Sequence, residues 1–295
     1  MIDCCTPKGG AYDLAVIGAG SAGFSAAITA AEAGARVALI GDGTIGGTCV
    51  NVGCVPSKAL IRAVEGLHHA RAATRFDGIE AGARVTDWAA TVAQKQALVE
   101  ELRAAKYADV LPRHETIDYV EGHARFDDAV RLTVDGDAFP AAKIVIATGA
   151  RPHVPAIPGI KTVDALDSTS ALELTTLPAS MLVVGAGYIG VELAQLFARA
   201  GVGVTLISRR GVLPEAEPEV SAALEGYLSE EGIRLAQVTG YESVAQDGGG
   251  VRLTGTGGES FEAERLLLAT GRVPNSARLN LGAAGIETDA RGGIV

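Results

Sequence analysis

Twice in this chain an apolar stretch runs straight into GxGxxG and on into an alanine-rich segment. The first copy carries Gly18, Gly20 and Gly23, and the second Gly185, Gly187 and Gly190. Each glycine in this spacing has its own geometric reason. The first permits a tight turn, the second lets a pyrophosphate approach the backbone, and the third lets helix and strand pack closely. Tyr12 to Gly18 reads as a buried parallel strand, Ser21 to Ala33 as the helix after it, and Arg36 to Ile40 as the second strand. Met181 to Val184, Val191 to Ala200 and Val204 to Ile207 repeat that order, and both copies later arrive at ATG, at Ala147 to Gly149 and at Ala269 to Gly271. One GxGxxG is weak evidence; two, each inside a strand–helix–strand unit, are strong. The chain is therefore expected to be α/β, with two Rossmann-like dinucleotide-binding domains, the second inserted into the first.

The 295 residues leave room for two such domains. Residues 1–10 read as a tail, 11–155 as the first domain, 156–275 as the second, and 276–295 as the start of a return to the first. ARPHVPAIPG, Ala150 to Gly159, carries three prolines and reads as the exit linker between them. Within the first domain, helices are expected from Ser57 towards Arg75 and from Trp88 to Val110. DGGG at Asp247 to Gly250 reads as a hairpin turn, because no helix follows it to make a phosphate loop.

A formal charge of -10 and a pI near 5.0 argue against a nucleic-acid partner, whose phosphates would be repelled. Leu14 to Ala31 is an uncharged run long enough on paper to cross a membrane. It breaks instead into strand, glycine turn and helix, so no membrane span is expected. MIDCCTPKGG has no basic region feeding an apolar core, and the protein is expected to be soluble and cytoplasmic.

The most reactive segment follows the first fingerprint. Gly46 to Lys58 reads GGTCVNVGCVPSK and sets Cys49 and Cys54 five positions apart. A bridge there closes too short a loop to stabilise the fold much, and such bridges are rare in reducing compartments. A thiol pair that cycles between dithiol and disulfide beside a cofactor is the chemical alternative to two cysteines acting as small hydrophobes. Pro56 sits where a first helical turn begins, and a helix N-terminus lowers a thiol's pKa. The helix start at Ser21 likewise offers N–H groups to phosphates.

The ends of the second strands set what each fingerprint selects. An acid should cap the first about 20 residues beyond the fingerprint, to hold a ribose. That place is taken by Gly41; Asp42 follows, either as a substitute or as a solvated turn aspartate. In the second copy the corresponding place is Ser208, followed by Arg209 and Arg210. A serine and two guanidiniums suit a 2′-phosphate, so NADPH is expected rather than NADH, unless the arginines are simply solvated.

GGTCVNVGCVPSK resembles the active-site segment of the flavin-dependent pyridine nucleotide–disulfide oxidoreductases, and the resemblance extends from Ala11 to Val295. Lipoamide dehydrogenases carry Leu and Ile where this chain has Val50 and Val55, and glutathione and trypanothione reductases carry Lys where it has Ser57. With Val50, Val55 and Ser57, and with ELRAAKY at Glu101 to Tyr107, this chain resembles the mercuric reductases of that family.

The resemblance implies FAD and NADPH as cofactors. Gly18, Gly20, Ser21, Gly23, Asp42, Gly47, Thr48, Thr148 and Gly149 would serve FAD; Gly185, Gly187, Gly190, Ser208, Arg209, Arg210 and Gly271 would serve NADPH. Cys54 would be the thiolate facing the flavin and giving a charge-transfer band, and Cys49 the thiol meeting incoming disulfide or metal. Lys58 would lie near the flavin and pair with Glu192, whose bland alternative is an exposed helix carboxylate. Tyr188 would be a ring that covers the flavin until nicotinamide displaces it, or else a packing residue.

The implied reaction is reduction of Hg(II) to elemental mercury for mercury resistance, with Cys49 and Cys54 binding the substrate metal. The alternatives are an NADPH-dependent reductase of small disulfides, and an inactive nucleotide-binding fragment. Family members are homodimers and continue beyond GGIV into an interface domain, so the chain reads as lacking that domain. Cys4 and Cys5 are soft-metal ligand types on a tail, or incidental. The five histidines show no metal spacing and read as surface or linker residues.

Overall fold

The computed structural model describes residues 11–129 and 131–295. These form two compact units. One runs up to Val55 and takes in Ala97–Arg151 and Arg272–Val295; the other comprises Pro56–Gln96 and Pro152–Gly271.

The first unit is built on a parallel sheet. Strand β1 (Tyr12–Ile17) leads through the glycine turn into helix α1 (Ser21–Glu32) and back to β2 (Val37–Gly41). A short helix α2 (Gly47–Val52) follows; the chain then runs through α3 (Cys54–Ala72) and α4 (Trp88–Arg103), most of whose residues belong to the other unit, before β3 (Ile117–Glu121). Three short antiparallel strands come next, β4 (Ala124–Phe126), β5 (Leu132–Val134) and β6 (Asp137–Phe139), and then β7 (Ala141–Ile146). The parallel order is β3-β2-β1-β7.

Alternation along the strands covers both faces of this sheet. Val16, Val37 and Leu39 pack against Phe24 and Ala27 of α1, while Ala15, Ile17, Ala38 and Ile40 pack towards Phe126, Leu132 and Phe139. That is why β2 reads VALIG with every residue buried: a parallel strand has no solvent face.

The expected linker from Ala150 is more ordered than its prolines suggest. Its first residues form β8 (Ala150–Pro152), paired with β16 (Arg272–Pro274). Proline is tolerated there because a two-stranded ribbon has only edges.

The second unit repeats the plan. After the short helix α5 (Ser168–Ala171) come β9 (Ser180–Val184), α6 (Tyr188–Ala200), β10 (Gly203–Ser208), α7 (Pro218–Glu230) and β11 (Arg234–Gln237). An antiparallel sheet of β12 (Tyr241–Asp247), β13 (Gly250–Gly255) and β14 (Ser260–Ala263) precedes β15 (Arg265–Leu268), and the parallel order is β11-β10-β9-β15. The hairpin expected at DGGG joins β12 to β13. Met181, Val183 and Leu206 face α6, and Leu182, Val184 and Ile207 face the antiparallel sheet. Full burial of Phe197 on α6 contributes about 2 kcal/mol.

Two sequence expectations shift. Residues 56–96 read as part of the first domain, yet Leu60, Val64, Trp88 and Val92 share a core with Leu193, Leu196 and Phe197 of the second unit. The helix expected to continue to Val110 leaves α geometry after Arg103 and widens into a π-type turn over Ala104–Ala108. No helix among the described residues is long and apolar enough to cross a membrane.

Candidate functional site

The first fingerprint turns at Gly18, whose φ of +119° only glycine adopts readily. A Cβ there would stand 2.2 Å from the Ala147 carbonyl, and one on Gly23 would stand 1.7 Å from the Gly18 carbonyl. Strand, turn and helix therefore close on one another with no room to spare. The thiol-bearing loop is tied to this turn, because the Gly46 N–H donates to the Ala19 carbonyl at 2.8 Å. Gly20 and Gly46 form an isolated parallel bridge. Asn51 locks the loop by donating to the Ile45 and Gly47 carbonyls, each at 2.9 Å, and accepts from Arg103 at 3.3 Å.

A cavity of about 750 Å³ opens beside the turn. Gly18, Gly20, Asp42, Gly47, Thr48, Thr148 and Gly149 line it, as do Asn51, His123, Arg151, Asn275 and Arg278. A Cβ on Gly20 would meet only the Gly47 Cα, at 3.5 Å, so the residue leaves backbone exposed to a ligand rather than filling a packing need. A dinucleotide fits this cradle, since a pyrophosphate needs close backbone approach at that glycine. Ser21 and Gly23 are not on the cavity wall. Ser21 is hydrogen-bonded through its hydroxyl to that of Tyr107 at 3.0 Å, and Gly23 serves packing.

Asn275 was not foreseen and organises the rim. Its N–H donates to the Gly149 carbonyl and its amide to the Thr148 carbonyl, both at 3.0 Å. No local pattern marks it, because it returns from 126 positions along the chain from Gly149. His123, read as a surface residue, is instead part of the wall.

Cys49 is half-buried in α2, and Cys54 is exposed at the start of α3; they are not bridged. The Cys49 thiol is pushed up from its ordinary value, first by its hydrogen bond to Cys54 and then by burial. A hydrogen bond raises a thiol's pKa when that thiol is the donor. The neighbouring Cys54 sulfur and burial thus favour the protonated form of Cys49, while the Cys54 backbone N–H and the charge of Lys106 pull the other way. Lys106 lies in the π-type turn, and its neighbour Tyr107 meets Phe24 edge-on at 4.9 Å. Thus the ELRAAKY stretch braces the thiol loop. Neither cysteine lines the cavity, but Thr48 just before them and Asn51 and Val52 between them do. Among the described residues no group of three or more His, Cys, Asp or Glu could hold a metal ion. Cys4 and Cys5 lie outside the described residues.

In the second unit the same turn recurs, with Gly185 at φ +106°, a Cβ there 2.3 Å from the Ala269 carbonyl, and Gly190 packed on the Gly185 carbonyl. A cavity of about 810 Å³ is lined by Gly185, Gly187, Tyr188, Ser208, Arg209, Arg210 and Gly271. A Cβ on Gly187 would meet nothing within 4 Å, so this cradle also admits a pyrophosphate. Ser208 is buried and accepts the Gly211 N–H at 3.0 Å; Arg210 pairs with Glu215 at 2.8 Å. Tyr188 is 70% exposed at the first position of α6. Glu192 is off the wall and grips the Lys58 ammonium with both oxygens at 2.7 Å.

Two nucleotide cradles of identical strand order, one backed by a thiol pair, decide the family. The chain belongs to the pyridine nucleotide-disulphide oxidoreductases. The family's description matches residues 12–295. FAD and NAD(P)H are accordingly its cofactors, as family and Rossmann architecture require. The chain is 46% identical over 281 residues to a mercuric reductase of Lysinibacillus sphaericus, covering 94% of this chain and 51% of that one. It is 45% identical over 292 residues to a mercuric reductase of Streptomyces lividans, covering 96% and 61%. Among solved structures, the Cu(II) complex of the HOCl-induced flavoprotein disulfide reductase RclA from Escherichia coli superposes with a TM-score of 0.85 at 32% identity, covering 97% and 62%. The chain thus spans about half to three-fifths of the length of the relatives it matches.

Proposed function

We propose that this oxidoreductase reduces Hg(II) to elemental mercury with NADPH, using Cys49 and Cys54 as the pair that binds the metal. The observation carrying this reading is the thiol pair itself, Cys49 and Cys54 unbridged and within hydrogen-bonding reach of each other on the loop tied to the first fingerprint turn. Its setting is a chain 45–46% identical to mercuric reductases. We assign the first cavity to FAD and the second to NADPH. Bound FAD supplies two-electron transfer between NADPH and the thiol pair.

The chain's own residues do the rest. Hg(II) favours two soft sulfur ligands in a line. On capture from a thiol complex, two Hg–S bonds to Cys49 and Cys54 form as the two bonds to the carrier thiolates break, and the released carriers take up the two cysteine protons. When two electrons from NADPH reach the metal, both Hg–S bonds break, Hg(0) departs, and both sulfurs are left as thiolates. Cys49, whose thiol is pushed up, then recovers its proton. Lys58 stands four residues after Cys54, on the same face of α3 by helical spacing. Held by Glu192, it supplies a fixed positive charge where negative charge develops. Tyr188 is the ring that nicotinamide displaces on entry. Arg209 and Arg210 take the 2′-phosphate, and the absence of an acid at Ser208 spares that phosphate repulsion.

The test is NADPH oxidation and mercury vapour release with Hg(II)–thiol complexes. Cys49→Ser and Cys54→Ser should each lower turnover on the order of a thousandfold. If either serine variant released mercury at the parent rate, the pair would not be the metal site. A second reading, reduction of a small disulfide, is supported by the likeness to a flavoprotein disulfide reductase. Faster turnover of glutathione disulfide or lipoamide than of Hg(II) would favour it.

A further inference from the structure

The first cradle lacks the acid that its strand end should carry, and the structure supplies a reason. A Cβ on Gly41 would stand 2.4 Å from the Tyr119 hydroxyl and 3.0 Å from its ring. Tyr119 comes from β3, which pairs with β2 in register so that Gly41 faces Glu121. The phenol occupies the space in which a glutamate at position 41 would begin. Gly41 and Tyr119 therefore exclude the usual ribose ligand together.

The next residue is held in a built setting. The Asp42 Oδ2 accepts from the His123 Nδ1 at 3.0 Å and from the Arg278 guanidinium at 3.2 Å. Both bonds fall on that oxygen, and Oδ1 takes no protein hydrogen bond among the described residues. His123 is itself fixed. Its N–H donates to the Asp135 carboxylate at 2.9 Å, and its carbonyl accepts the Asp135 N–H at 3.0 Å. The Gly122 N–H ties this loop to the Gly41 carbonyl at 2.9 Å. Arg278 is anchored by its neighbour Leu279, buried in the core under the sheet. Asp42, His123 and Arg278 all line the first cavity.

The geometry points to Asp42 as the carboxylate that holds the adenosine ribose of the flavin, displaced one residue past the strand end, with His123 and Arg278 as the residues that position it. This rests on the assignment of FAD to the first cavity. A carboxylate with one oxygen braced and the other open accepts a ribose hydroxyl without first losing a protein partner. Tyr119 has the complementary role of denying the position to any side chain on residue 41.

The experiment compares binding of FAD with that of FAD lacking the adenosine 2′-hydroxyl, read by quenching of flavin fluorescence. The parent protein should favour FAD about tenfold, as a charged hydrogen bond implies. Asp42→Asn should bind both alike, and His123→Phe should lose most of the preference while keeping Asp42. Gly41→Glu combined with Tyr119→Ala and Asp42→Asn should restore the preference, which a merely structural Asp42 does not allow. A preference for FAD kept intact in Asp42→Asn overturns the proposal. Gly20→Val separates this from the underlying assignment. If Gly20→Val binds FAD as the parent does, FAD is not in this cavity. If it loses FAD while Asp42→Asn keeps the tenfold preference, only the ribose role fails.

Discussion

The two fingerprints are nearly the same object built twice. Strand order is β3-β2-β1-β7 in one and β11-β10-β9-β15 in the other. Gly18 and Gly185 turn at +119° and +106°, and both would drive a Cβ into the carbonyl of the ATG segment, at 2.2 and 2.3 Å. Backbone sterics therefore make the cradle, and they make it without reference to what it holds. The copies diverge in two places. At the end of the second strand one has Gly41 and Asp42, the other Ser208, Arg209 and Arg210. Beyond the second glycine, Gly20 is backed by the cysteine loop at Gly47, while Gly187 opens on space. Cofactor choice and redox chemistry are thus additions to a common frame.

The strongest way to break this comparison is at the third glycine. Gly23→Ala and Gly190→Ala should each cost about 3 kcal/mol, because the clash is with backbone at 1.7 and 1.8 Å. Urea unfolding measures this. A near-neutral effect in one copy would show that its strand and helix pack less tightly than its twin's.

Exchanging the strand ends should exchange preference. Ser208→Glu with Arg209 and Arg210 made neutral should weaken NADPH binding by about 1.5–3 kcal/mol per lost charged hydrogen bond and leave NADH binding unharmed. Arg210 already pairs with Glu215 at 2.8 Å, so the Arg209 change alone should carry the larger share. Titration of each nicotinamide nucleotide checks both points. An unchanged preference would place the phosphate elsewhere.

The thiol loop, present in only one copy, can be tested through its proton. Because Cys49 is pushed up chiefly by its hydrogen bond with Cys54, its alkylation should rise with pH only above the usual thiol range. Cys54→Ser removes that sulfur, and the midpoint should fall. Iodoacetamide rates across pH decide it, and an unmoved midpoint would leave burial as the cause.

The smallest effect concerns Tyr12, in the first strand of the first copy alone. Its phenol donates to Asp118 at 3.0 Å, and burial followed by that carboxylate pushes its pKa up to about 12. Raised above the ordinary 10, the group stabilises the fold fully below pH 10, and that contribution fades as pH climbs towards 12. Tyr12→Phe should cost about 1 kcal/mol near neutral pH and flatten the loss between pH 10 and 12. Equal alkaline sensitivity in the variant would assign that loss to other groups.

What local sequence decided here are the features whose physics is local. A glycine at a +119° turn, an apolar run buried on both faces, and two cysteines flanking a helix start all follow from neighbours within a few residues. The two-cradle plan, the Cys49–Cys54 pair and the Lys58–Glu192 partnership were legible for that reason or through family resemblance. Tertiary structure alone decided the rest, because it depends on residues brought together from far along the chain. Asn275 on the rim, Arg278 and His123 on Asp42, and Tyr119 beneath Gly41 leave no periodic trace. The empty place at Gly41 was the one signal that something must compensate. Residues 56–96 went to the second unit for the same reason: an amphipathic helix advertises that it has an apolar face, but only the packed fold chooses which core receives it.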